Sequence, residues 1–189
     1  MKKAFPIMLV VLGIVFVGAG IYTVVRGFQA RDEVRDVLVA QRITTPEDAS
    51  IPNQLVDDAA TAHSMALIIE KHAEEATGGR TYSELGRYLT PDGGDTSDEA
   101  LALTDEAGNP VPNPLRNVAF QASTLQTSLH TSHMAFNVAD LVIGLGVLFL
   151  ALGVAVGGTG IAFAGLVIPT VARKFNVETV TPTTTSTTV

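Results

Sequence analysis

The chain has 189 residues, 47% of them hydrophobic and only 16% charged, with a formal net charge of −7. An average soluble domain carries about 25% charged residues, so this composition argues against one soluble globule. The absence of cysteine excludes disulfide frameworks, thiolate metal sites and cysteine nucleophiles, and the acidic balance argues against nucleic acid as a partner.

Behind Lys2 and Lys3, residues 4–25 form a run of 22 without a charge. As a helix it would be about 33 Å long, enough to cross a hydrocarbon core of about 30 Å. Val17-Gly18-Ala19 resembles a signal-peptide cleavage site, but the apolar run continues through Ile21, Tyr22, Val24 and Val25, which favours an uncleaved anchor. Trp is absent, so Phe5, Tyr22, Phe28 and Phe136 are the candidate interfacial aromatics.

Residues 29–43 continue the helical pattern, with Val34, Val37, Leu38 and Gln41 on one face and Arg31, Asp32, Arg35 and Asp36 as solvated charge. Thr44-Thr45-Pro46 ends it, and residues 47–56 read as a loop. A second helix is expected over 58–77. Its apolar face runs through Ala62, Met65, Ile69, His72 and Ala76, and Gly78-Gly79 is its stop signal. Thr81-x-x-Glu84 reads as a capping box opening a short helix through Tyr88. Residues 91–113 are acidic and rich in glycine and proline, and read as a mobile loop with one turn of helix.

Asn113-Pro114 matches an N-cap followed by proline at the first helical position. From there Leu115, Val118, Ala122, Leu125, Leu129, Ser132, Phe136 and Ala139 keep a helical spacing straight into a second charge-free run, residues 141–172. That run is too short for two crossings and predicts one long helix ending near Pro169. The Thr-rich tail lacks a core-forming pattern and reads as disordered.

Lys2, Lys3, Arg173 and Lys174 flank the outer ends of the two runs, which places both termini in the cytoplasm. Between the runs, residues 26–140 hold 8 Lys/Arg against 18 Asp/Glu, so the acidity lies outside. The organisation expected is a cytoplasmic N-terminus with the first transmembrane helix (1–25), an acidic extracytoplasmic helical domain (26–140), a second transmembrane helix (141–169) and a cytoplasmic tail (170–189). The fold class is all-α: an antiparallel transmembrane hairpin with a small outer helical domain.

Gly13, Gly20 and Gly27 recur every seven residues, as do Ala139, Gly146, Gly153 and Gly160. Small residues at one heptad position let membrane helices approach closely. An antiparallel pairing that sets Arg26 level with Asp140 also sets Gly27 against Ala139, Gly20 against Gly146 and Gly13 against Gly153. Arg26 and Asp140 then form an interfacial ion pair. A glycine face shared between copies of the chain is the competing reading, with Gly153-x-x-x-Gly157 as its motif.

Chemistry is sparse. No Walker, Rossmann, G-x-S-x-G, kinase or H-E-x-x-H signature is present, so no catalytic, metal or cofactor residue is assigned and no cofactor is expected. His63, Glu70, His130 and His133 are the only residues whose helical spacing hints at a metal site. Neither apolar run contains an internal ionisable residue, so a proton relay lacks its usual parts.

Three elements carry a family resemblance: Ile43-Thr44-Thr45-Pro46-Glu47-Asp48-Ala49, Gly78-Gly79-Arg80-Thr81-Tyr82-Ser83-Glu84-Leu85, and Ala122-Ser123-Thr124-Leu125-Gln126-Thr127-Ser128-Leu129. Over most of residues 5–156 the chain resembles a group of small two-helix membrane proteins of high-GC Gram-positive bacteria. That group has no established activity; some members bear an aromatic ring-opening dioxygenase label, and no iron-ligand triad is evident here. The function expected is that of a non-enzymatic membrane protein: an accessory or scaffolding subunit that meets the bilayer, other membrane subunits or further copies of itself. A ligand- or envelope-sensing module is the alternative, and a His/Glu metalloenzyme a more distant one.

Overall fold

A computed structural model describes the backbone of residues 4–177 and the side chains of residues 4–165. Lys2, Lys3, the side chains of Arg173 and Lys174, and the tail from residue 178 lie outside the described residues. The chain is mostly helical. Helix α1 is Ala4–Gln41, α2 is Ala59–Thr77 and α3 is Pro114–Val177. Between α2 and α3 lies a ribbon of β1 (Tyr88–Leu89) and β2 (Asp95–Thr96), antiparallel with Tyr88 opposite Thr96.

The chain divides into two compact units. One comprises the residues up to Phe28 and those from Leu141 onward; the other is Gln29–Asp140. In the first unit both α1 and α3 are long and apolar enough to cross a membrane. Only 17% and 11% of their most apolar windows are buried, whereas the core helix of a soluble protein would be mostly buried. The α3 backbone stays helical past Pro169 to Val177, beyond the end expected at that proline. In an apolar run a proline costs one backbone bond without giving the chain water as an alternative partner, so helices continue through it.

The second unit has its own core, built from Leu38 of α1, Val56 of the loop before α2, Ala62 and Ala66 of α2, and Leu129 and Phe136 of α3. Val34, Ile43, Ala59, Met65 and Ile69 pack around it. Val37, expected on the inward face, is exposed, as are Val118 and Leu125. The contact runs instead through the narrower stripe of Ala119, Ala122, Leu129, Phe136 and Ala139, where alanines let α3 come close.

Local sequence sets the boundaries of α2. Asp58 accepts from the Thr61 amide at 2.8 Å, while the Thr61 hydroxyl oxygen accepts from the Asp58 amide at 3.1 Å. The helix ends at Gly78 (φ 63°) and Gly79 (φ 77°), a left-handed conformation that glycine adopts without strain. The Gly79 amide closes the end on the Glu74 carbonyl at 2.8 Å.

Residues 81–113 differ from the sequence expectation. Thr81 and Glu84 make their capping contacts at 2.8 Å, but they close a single turn, and Tyr88 enters β1 rather than a helix. Residues 91–113 hold the single helical turn expected, a 3₁₀ turn at Glu99–Leu101, and add β2 and bridges from Tyr88 to Pro112 and Thr104 to Pro110. The acidic side chains that suggested a solvated loop act locally. Asp105 accepts from the Ala107 and Asn109 amides at 2.9 and 2.8 Å, the turn chemistry through which Asp competes with helix.

Candidate functional site

In the first unit the glycines determine how closely two apolar segments meet. A Cβ on Gly20 would lie 2.8 Å from the Gly146 carbonyl oxygen, and one on Gly146 would lie 2.9 Å from that of Gly20. Gly13 lies against Gly153 and Gly157, and Gly160 against Pro6, Leu9 and Val10. Contacts ascend one segment as they descend the other. Two aromatic pairs join the same segments, Phe16 with Phe149 at 6.0 Å and Phe5 with Phe163 at 6.4 Å. An apolar groove of about 460 Å³, lined by Gly13, Gly153, Gly157 and Gly158 among others, remains along this contact. Gly27 and Ala139 are both buried, one in each unit.

Asp140, expected to meet Arg26, forms an ion pair with Arg31 within the second unit. The Arg31 guanidinium also lies 5.7 Å from the Phe136 ring centre. Arg31 was read as one of several solvated charges; only the packing of α1 against α3 singles it out.

At the far end of the second unit, between the C-terminal half of α2 and the first turns of α3, lies a cleft of about 160 Å³. Its polar lining includes Glu70, Glu74, Arg80, Tyr82 and Gln126. Tyr82 packs on two residues of α3. Its ring lies 5.7 Å from that of Phe120, and the Arg116 guanidinium stacks 3.9 Å from it while donating to the Tyr82 carbonyl at 3.1 Å and to the Leu85 carbonyl.

Asp95 organises the wall of this end. It accepts from Arg80 at 3.0 Å, from the Gly86 amide at 3.0 Å and from the Asn113 side-chain amide at 3.0 Å. Burial pushes its carboxyl up, but the Gly86 amide, the Arg80 guanidinium and the Asn113 amide together hold it below the ordinary carboxylate value. Asn113 also caps α3 by accepting from the Leu115 amide at 3.0 Å. The sequence marks Asn113 as a cap; nothing in its spacing announces the second role of its amide.

The histidines are brought together in part. The His63 ring lies 4.9 Å from that of His133 and 5.8 Å from that of His130. His133 has both nitrogens engaged, Nδ1 with the Ala59 carbonyl at 2.8 Å and Nε2 with the Asn137 side-chain amide at 3.0 Å. A carbonyl can only accept, so Nδ1 carries the proton and Nε2 accepts from Asn137. Glu70 lines the cleft described above. Among the described residues no group of three or more His, Cys, Asp or Glu is arranged to hold a metal ion.

His72, expected on the inward face of α2, is exposed and lies 2.9 Å from Asp48, which Lys71 also approaches at 3.4 Å. The hydrogen bond from His72 is the main reason the Asp48 carboxyl sits below its ordinary value. Asp48 belongs to the first of the three family-like elements, where Thr45 and Ala49 are buried. That element holds the 43–56 loop onto α2.

No protein-family model, curated protein or solved structure shows a significant match to this chain.

Proposed function

We propose that the chain is a two-pass membrane protein that acts without catalysis, as an accessory or scaffolding subunit working through its outer helical domain. The observation that carries this reading is the glycine-to-glycine contact of Gly20 with Gly146 inside a pair of otherwise outward-facing apolar segments. Such packing suits lipid, where close approach replaces the hydrophobic effect as the source of helix association. In this reading residues 4–25 and 141–169 form an antiparallel transmembrane hairpin. Both termini lie in the cytoplasm, and residues 26–140 stand outside with their excess of acid. The resemblance to the two-helix membrane proteins of high-GC Gram-positive bacteria agrees with it.

Purification of the tagged chain in mild detergent tests the proposal. A stoichiometric partner or a defined oligomer is expected, and a stable lone monomer would overturn it. Reporter fusions after Val189 and within residues 92–97 test the orientation, with only the second expected on the outer side.

A second reading is favoured by the cleft between α2 and α3. With Tyr82, Arg80, Glu70 and Gln126 at its edge, it suits a small polar ligand of the envelope, and the outer domain would then report ligand binding. Protection of Tyr82 and Gln126 amide signals on adding solubilised envelope fragments is the expected sign. Unchanged spectra would remove this reading.

A further inference from the structure

From Asn117 to Ala139, α3 carries no Asp, Glu, Lys or Arg, although it belongs to a domain of marked acidity. Its buried stripe, with Leu129 and Phe136, faces the domain's own core. On the opposite side every residue of a 4-3 heptad series is exposed: Phe120 (52%), Thr124, Thr127, Thr131, Met134 (65%) and Val138 (53%). The three threonines turn their hydroxyls into the helix. Thr124 donates to the Phe120 carbonyl at 2.8 Å, Thr127 to Ser123 at 2.8 Å and Thr131 to Thr127 at 2.7 Å. With the hydroxyls bonded there, the methyl groups are left to make the surface.

We propose that this face of α3 is the contact with a second copy of the chain, packed parallel and in register along Phe120, Thr124, Thr127, Thr131, Met134 and Val138. The proposal rests on the membrane-scaffold reading, because two copies inserted the same way present α3 to each other in parallel. A parallel heptad seam places each residue against its own counterpart, so one sequence satisfies both sides.

Charge selects the face. Outward positions of α1 carry Asp32, Glu33, Arg35 and Asp36, and those of α2 carry Glu70, Lys71, Glu74 and Glu75. A second acidic copy meets like charges there and none along α3. At about 1.5 Å per residue the face from Phe120 to Val138 runs about 27 Å, about five helical turns of charge-free surface. A strict seven-residue repeat of this kind also calls for the left-handed supercoil that a parallel pair adopts.

The absence of native cysteine makes the test direct. Single Thr127→Cys, Thr131→Cys and Met134→Cys variants of the full chain are oxidised in membranes beside Leu125→Cys and Glu74→Cys, exposed positions off the seam. A disulfide-linked species of twice the monomer mass is expected at the three seam positions and not at the two others. Thr131→Glu, a change at an exposed position, is expected to abolish the Thr127→Cys cross-link while the monomer retains its helical content. Absence of dimer at the seam, dimer of equal yield at Leu125, or a seam cross-link only to a different protein would overturn the proposal. Recovery of the chain outside the membrane fraction would instead overturn the scaffold reading on which it rests.

Discussion

Gly20 and Gly146 each occupy the position where the other's side chain would have to be. A Cβ on either residue falls within 2.9 Å of the partner's carbonyl oxygen, closer than side-chain carbons are found. Gly18, two residues away on α1, has nothing within 4 Å of its Cβ position. Two glycines of one helix therefore have different roles, one structural and one incidental.

The first prediction follows from that difference. Gly20→Ala or Gly146→Ala must push backbone against backbone, and overpacking of this kind costs about 1–3 kcal/mol. Gly18→Ala is expected to leave stability unchanged or slightly raised, because alanine is the better helix former. Thermal unfolding of the three variants in one detergent separates them. Equal midpoints would show that the glycine contact does not hold the segments together.

Gly86 makes a parallel case in the second unit. A Cβ there would run into the backbone of Thr96 in β2, and no flexible side-chain end is available to yield. Gly86→Ala is expected to cost about 1–3 kcal/mol and to free the ribbon before the helices. Faster amide exchange at Leu89, whose amide donates to the Val111 carbonyl at 3.0 Å, with little change at Ala66, is the measurement.

Acid should weaken the second unit. The Thr61 amide holds the Asp58 carboxyl below its ordinary value, as the Thr81 amide does for Glu84, His72 for Asp48 and the Asn109 amide for Asp105. Groups whose folded value is depressed contribute stability that is complete above their unfolded value of about 4. That contribution falls away as pH drops through the folded values. Unfolding midpoints of the second unit are therefore expected to be flat from pH 7 to about 5 and to decline below. Asp58→Asn should flatten part of the decline.

His133 joins α2 to α3 through the Ala59 carbonyl and fixes its own ring against Asn137. His133→Phe keeps a ring of similar bulk and removes both bonds. A loss of about 1–3 kcal/mol is expected, the usual net value of two such hydrogen bonds. His130→Phe, at an exposed position, serves as the control, and equal losses would remove the special role of His133.

Much of the architecture was legible in the chain itself because local chemistry decides it. Two long charge-free runs specify apolar helices. Asp58 with Thr61 and Gly78-Gly79 bound α2, and Asn113-Pro114 opens α3. The heptad spacing of glycines identifies a surface suited to close approach. These signals lie within a few residues of one another along the sequence, where helical geometry alone sets the neighbours.

Other features depended on tertiary structure, because they join residues far apart in the chain. Asp140 pairs with Arg31, 109 positions away, a choice that no charge pattern along α1 distinguishes from its neighbours. Residues 91–113 were read as a mobile loop because their acids and glycines match solvated loops. Asp95, contacting Arg80, Gly86 and Asn113 at once, gives that segment a fixed fold. Which face of α3 turns inward was likewise settled by packing. Val118 and Leu125 fit the helical period as well as Leu129 does, but the small side chains of Ala119 and Ala122 determine how near the helix can come. Period fixes which residues share a face, and only the volume available at the contact decides which face is buried.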